Sequence, residues 1–423
     1  MINTGDLHIE DEIVPLFDST YNLYSGRALR DMLVEQLTSE YEILFRQQIL
    51  KGFIGNREVL KEYSFSRFNL SDIYDFLESF SAGSFLGLHL RRKLMFNEKE
   101  RNQKRGKLMM LILLFHKIHT TYISKINRKL FPDEYWPELD KLNRFFIDFE
   151  LEHYESIIKK KKLKIGHIVE LMKIVTEKVT NGQVAGFWKT WFSFEAYLSI
   201  SVGINKYGFV FPVFESEQFS IEGIYHPLIK NPVKNNIAAT KNVILLTGPN
   251  MSGKSTLLKS ISLCVYLGHQ GLAVPAEKVT MPFFSTISVA INLTDSIVSG
   301  YSHFMSEVIT LKNVVIEAGK NERCFAVFDE LFRGTNIEDA LEISTVTIRG
   351  LTQFKKSLFI ISTHLHQLKE IEEIKNGQVT TGYIECEIRD NTPAFTYKLK
   401  SGWSDLKLGR ILFDREGLND MLK

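Results

Sequence analysis

The spacing Gly248-x-x-x-x-Gly253-Lys254-Ser255 brings together residue types that can hold phosphate. Its loop is Gly248, Pro249, Asn250, Met251, Ser252 and Gly253, and Lys254, Ser255 and Thr256 open the helix that follows. The glycines let backbone N–H groups turn inward around phosphate oxygens, and the helix N-terminus adds unpaired donors and a positive dipole end. Lys254 supplies a point charge for β- and γ-phosphates, and the Ser255 hydroxyl suits Mg²⁺. Two acids, Asp329 and Glu330, close the apolar run Cys324–Phe328. A carboxylate there can hold the same Mg²⁺, which is the role read for Asp329, and Glu330 is placed to orient and activate a water. The run Leu358–Ser362 leads to His364, where an imidazole can contact a γ-phosphate or its water. Ser302, ahead of a helical pattern, reads as an N-cap at a further anion-friendly helix start.

These residues need buried strands to present them. Val243–Leu246, Cys324–Phe328, Leu358–Ser362 and Phe395–Leu399 read as strands, as do Phe209–Phe214 and Phe219–Ile224. Helical patterns over Thr256–Leu267, Ser306–Ala318 and Asp339–Phe354 alternate with them, which predicts an α/β nucleotide-binding domain over residues 206–423. The preceding half reads differently. Ala28, Leu29, Met32, Leu33 and Leu37 recur at helical spacing, and so do Ile168, Leu171, Met172, Val175 and Val179. Proline is sparse there, so residues 1–205 are expected to be helical.

The 423 residues carry a formal net charge of +2, so bulk charge does not announce a nucleic-acid partner. Charge is nevertheless local. Arg91–Lys107 and Lys159–Lys164 are cation-rich and could track a phosphate backbone, although a solvated helix face is the ordinary reading of either alone. Neither has the interleaved aromatics of a stacking platform. Cys264, Cys324 and Cys386 are far apart, form no metal-ligand spacing, and suit a reducing compartment. The N-terminus lacks a basic-then-apolar leader, and the longest apolar run, Leu108–Phe115, is too short to cross a bilayer. The chain therefore reads as cytoplasmic, without a membrane partner.

In order, Thr247–Thr256, Ser299–Glu307, Phe328-Asp-Glu-Leu-Phe-Arg-Gly-Thr-Asn336 and Ser362-Thr-His-Leu-His-Gln-Leu368 closely resemble the MutS family of DNA mismatch repair ATPases, which are of the ABC class. Tyr225-His-Pro-Leu-Ile229 looks like the family's entry to its ATPase domain, and Ser25–Arg30 through Arg46 is similar to the start of its helical core. The resemblance implies an α/β P-loop ATPase domain of ABC type, preceded by an all-α core/lever domain. It implies ATP with Mg²⁺ as ligands, Asp329 and Glu330 as metal and general-base carboxylates, and His364 as a switch histidine. Ser302 would reach in trans to the γ-phosphate of the other subunit in a homodimer, and Val233 would make an aliphatic contact with adenine. Nucleotide state would then be coupled to DNA binding by shape and backbone, in mismatch repair or related DNA processing. Departures are also visible. The similarity starts at the helical core, so the mismatch-reading and connector domains are expected to be missing. His303, Phe332 and Asn336 stand where the family usually has Thr, Gly and Ser. An ATP-switched adaptor that binds a protein or ribonucleoprotein partner is the alternative.

Overall fold

Five consecutive fully buried residues, Val243–Thr247, form the strand that leads into the phosphate loop. The computed structural model describes residues 2–80, 87–291, 303–320, 322–332, 334–389, 392–406, 413, 415 and 417–422. The strands in chain order are β1 (Ile2–Asn3), β2 (Val213–Phe214), β3 (Ser220–Ile224), β4 (Asn235–Ala238), β5 (Val243–Thr247) and β6 (Lys278–Met281). Then come β7 (Thr286–Ala290), β8 (Cys324–Phe328), β9 (Leu358–Ser362), β10 (Thr380–Arg389) and β11 (Thr392–Ser401). Seven of them make one sheet in the order β1-β7-β8-β9-β5-β10-β11, parallel except for the β10–β11 pair. Its central strands β5, β7, β8 and β9 are buried at every position, as expected of a parallel sheet covered on both faces. A four-stranded sheet, β2-β6-β3-β4, completes the β-structure of the described residues.

The chain divides into two compact units. The α/β unit contains Tyr207–Lys423 together with Met1–Ile13 and Val34–Leu44, and the helical unit contains Val14–Leu33 and Phe45–Lys206. Residues 1–13 and 34–44 thus lie outside the helical unit to which the sequence reading gave them. For the first segment the cause is pairing along the sheet edge: β1 adds to β7, and Asp6 Oδ2 accepts the Ile291 N–H at 2.7 Å. A further difference lies at Phe209–Phe214, where only Val213–Phe214 is strand and Val210 makes an isolated bridge to Val274.

In the helical unit the longest helices are Glu98–Thr121 and Gln183–Tyr207. The second is buried nearly all round, and Phe187, Trp191 and Phe194 place it at the centre of an aromatic core. Phe187 stacks on Phe145 at 3.9 Å and 11°. Caps fix helix starts here: Asn97 accepts the Glu100 N–H and Ser66 the Asn69 N–H. Glu195 is buried on the central helix, where its carboxylate accepts from Asn22 and Ser25 side chains and the Tyr21 N–H. Those bonds tie down the start of the helix Leu23–Val34.

One buried histidine gives the α/β unit a pH-dependent stability. His269 Nδ1 donates to the Val265 carbonyl at 2.7 Å, and Nε2 accepts the Phe284 N–H at 2.8 Å, so both neighbours demand the neutral ring. Burial pushes its pKa down from 6.5 to about 4. A depressed folded-state pKa means that the unfolded chain binds the extra proton first. Stability is therefore present above pH 6.5 and lost as pH falls toward 4, by about 3 kcal/mol for this group. The stability gap between wild type and His269→Gln should narrow over that window in urea titrations. A gap that stays constant with pH would contradict this assignment.

Candidate functional site

Parallel pairing sets the C-terminal ends of β5, β8 and β9 side by side, the usual ligand edge of such sheets. The loop after β5 turns at Gly248 (φ +136°) and Gly253 (φ +98°), both in backbone regions that favour glycine. Space is also short. A Cβ at Gly248 would lie 3.2 Å from the Ser252 hydroxyl oxygen and from the Ile384 carbonyl, and one at Gly253 would lie 3.2 Å from the Tyr397 ring. Lys254, the first residue of the helix Lys254–His269, is buried. Its ammonium donates to the Gly248 and Pro249 carbonyls at 2.8 and 3.2 Å and lies 3.9 Å from Glu330 Oε1. Desolvation lowers its pKa, against the pull of Glu330 and Asp329. Asn250, Met251, Ser255 and Thr256 are exposed around the rim, whereas Pro249 is buried. Ser252 Oγ is buried with no hydrogen-bond partner. A glycine cradle, an unused hydroxyl and an under-solvated cation fit a polyphosphate.

Asp329 and Glu330 follow β8, and one side chain from the next strand organises both. Ser362, fully buried at the end of β9, accepts the Glu330 N–H at 2.9 Å and donates to Asp329 Oδ1. Glu330 itself has φ +54°, a left-handed backbone that costs a non-glycine residue roughly 1–2 kcal/mol. Asp329 N–H donates to the Ala290 carbonyl at 2.9 Å, so the acid pair is held from β7 as well as β9. Phe332, where the family usually has Gly, is also left-handed (φ +66°) and is buried beside Phe304. Asn336 caps the helix Ile337–Leu351 by accepting the Asp339 N–H. Among the described residues no group of three or more His, Cys, Asp or Glu could hold a metal. An ion at Ser255 and Asp329 would take much of its shell from phosphate oxygens and water, as Mg²⁺ commonly does.

A cavity of about 390 Å³ opens beside the loop, lined by Tyr225, His226, Val233, Gly253, Thr256 and Tyr397 among others. Val233 is half-buried in its wall. Burial lowers the His226 pKa, favouring the uncharged ring. Tyr397 was missed by sequence reasoning. It sits on β11 with φ +57°, and its carbonyl accepts from Asn235 Nδ2 at 2.9 Å, locking that turn of the strand against the pocket. The alternation of Ile384, Cys386 and Ile388 followed by Thr392–Ser401 carries a hairpin signal that would have pointed to it.

His364 is exposed just past β9. Ser302 lies outside the described residues, and so does Arg333. In the helical unit, Arg91, Arg92, Lys93 and Lys99 are exposed within the first basic run, and Lys159–Lys162 and Lys164 within the second. Part of the first run is neutralised by neighbours: Lys93 and Lys104 share Glu100, Arg101 pairs with Glu98, and Lys107 with Asp72. No helix of the described residues is long and apolar enough to cross a membrane.

The family profile of MutS domain V matches residues 244–412, which contain the loop, the acid pair and β9 to β11. The DNA mismatch repair protein MutS of Thermotoga maritima is 27% identical over 425 residues, covering 97% of this chain and 51% of that protein. The MutS of Bacillus velezensis is 27% identical over 310 residues, covering 70% of this chain and 36% of the relative. That of Bacillus subtilis is 31% identical over 206 residues, covering 47% and 24%. The chain thus spans about half the length, or less, of these curated relatives. Residues 244–412 thus match MutS domain V, and almost the whole chain is similar to about half of a MutS protein.

Proposed function

We propose that the α/β unit binds and hydrolyses ATP with Mg²⁺, and that the chain couples nucleotide state to DNA binding as a homodimer. One observation carries the catalytic part: Lys254 and Glu330, from two different strand ends, meet at 3.9 Å around a glycine cradle. In this reading the loop from Gly248 to Thr256 grips the phosphates and Lys254 balances charge on the transferring group. Glu330 takes the proton of the attacking water, and Ser362 keeps its backbone and Asp329 in register. Mg²⁺, held by Ser255 and Asp329, would neutralise phosphate charge. Adenine would lie in the cavity between Val233 and Tyr397, and His364 would report on the γ-phosphate from the β9 side. Ser302 would complete the site of the other subunit. Exposed Ile316, Ile337 and Val346 on the helices His303–Gly319 and Ile337–Leu351 support a face that a second copy covers. The α/β unit would be the ABC-type ATPase domain and the helical unit the core/lever domain. The basic runs Arg91–Lys107 and Lys159–Lys164 would meet the DNA backbone in a cytoplasmic setting.

The test is fluorescence anisotropy of homoduplex, mismatched and branched DNA, with and without ATP. Nucleotide-dependent binding is expected, weakening steeply with salt by a log–log slope of about 0.9 per phosphate contact. Absent or salt-insensitive DNA binding beside intact ATP turnover would overturn the DNA half of the proposal and leave the ATPase half standing.

A further inference from the structure

The helical unit holds a second cleft, of about 820 Å³, which lies within the range of about 300–1,000 Å³ usual for ligand sites. One wall is a column of near-parallel rings. Trp188 stacks on Phe192 at 5.6 Å and 14°, and Phe192 stacks on Tyr24 at 5.1 Å and 17°. Tyr74 braces the same ring of Tyr24 at 4.4 Å. Trp188 is buried at the base, whereas Tyr24 is 38% exposed at the open end. The column is therefore ordered in advance and terminates in the cleft.

The charge of the cleft complements an anion. Tyr24, Arg27 and Arg30 recur at every third residue of the helix Leu23–Val34, so they run along one ridge in steps of about 4.5 Å. Arg27 and Arg30 are exposed, line the cleft and pair with no carboxylate among the described residues. Arg67 adds a third guanidinium, seated over the Tyr21 ring at 5.7 Å. The only acid in the lining, Asp18, is engaged by the Thr20 N–H and hydroxyl at 3.0 and 2.7 Å.

We infer that this cleft binds single-stranded nucleic acid, one base extending the ring column on Tyr24 and the adjoining phosphates meeting Arg27 and Arg30. A planar ligand is favoured over an acidic peptide because the arginines would serve either, while a pre-stacked column ending in a partly exposed ring suits a flat one. The site is independent of ATP and of the duplex contacts assigned to the basic runs.

The measurement is anisotropy of the full-length protein with labelled oligo(dT) of about 12 nucleotides, within the site sizes of about 4–16 known for single-strand binders. An abasic strand of equal length and a Glu/Phe-rich peptide serve as competitors. Tyr24→Ala should weaken oligo(dT) binding about 10-fold, and Tyr24→Trp should retain it. The Arg27→Ala/Arg30→Ala double variant should flatten the log–log salt slope by about 1.4, two single-strand phosphate contacts. Thermal melts of each variant separate lost binding from lost fold. The inference is overturned if oligo(dT) does not bind, or if the abasic strand binds as tightly as oligo(dT). It is equally overturned if folded Tyr24→Ala binds like wild type, or if only the acidic peptide displaces the probe.

Discussion

Glu330→Gln is expected to lower ATP turnover by about 10²–10⁴-fold, the contribution typical of a positioned general base, with nucleotide affinity changed only a few-fold. The glutamine is isosteric but cannot accept the water's proton. It should not disturb the fold, because the position is fixed through its backbone: the N–H is bound by Ser362, and the left-handed φ of +54° costs Gln no more than Glu. The loss should therefore appear in kcat, with the KM for ATP and the unfolding midpoint close to wild type. Steady-state hydrolysis together with titration of a fluorescent ATP analogue would separate the two. Unchanged turnover would remove Glu330 from the reaction. Turnover and binding lost together would make it a structural residue.

Lys254→Ala should act on the other side of that division, removing binding as well as turnover. A loss of about 10²–10³-fold in kcat/KM is expected for deleting a charge aimed at the transferring phosphoryl group. The unfolding midpoint without nucleotide should stay level or rise. The ammonium is buried, its pKa is lowered by desolvation, and its partners are two loop carbonyls and a carboxylate at 3.9 Å. A cation held where its charge is disfavoured adds little to the empty fold and is retained for a ligand. Calorimetry should show the difference directly: ATP raises the melting temperature of wild type but not of the variant. A variant that melts far below wild type and still gains stability from ATP would assign Lys254 to the fold instead.

The parts of this molecule legible in sequence are those whose signal is local. β8 and β9 match the expected apolar runs residue for residue, because a parallel strand buried on both faces has no polar alternation to blur it. The loop after β5 is legible because its glycines and its lysine fall at a set spacing within a few residues. What was missed depends on distant pairing. β1 is two residues long and is defined only by β7. Ser362 looks like an ordinary strand serine until β8 brings Asp329 and Glu330 against it. Tyr24 carries no local signal, and its meaning came from rings on a helix more than 160 residues downstream. The cations of Arg91–Lys107 were legible as charge, but the ion pairs that some of them make with Glu98, Glu100 and Asp72 were not.

The pairing of the first residues with β7 also has a bearing on how the chain is made. Asp6 and its partner Ile291 are 285 residues apart. At about 5–20 residues per second on the ribosome, β1 waits roughly 15–60 s for the backbone it will pair with. During that interval Phe45–Lys206 is synthesised in full and can collapse around its own aromatic core. The α/β unit is the opposite case, since its sheet begins and ends with the first and last strands of the described residues, β1 and β11. Its completion is a late event of high contact order, and until β7 emerges β1 is an unpaired strand available to other chains.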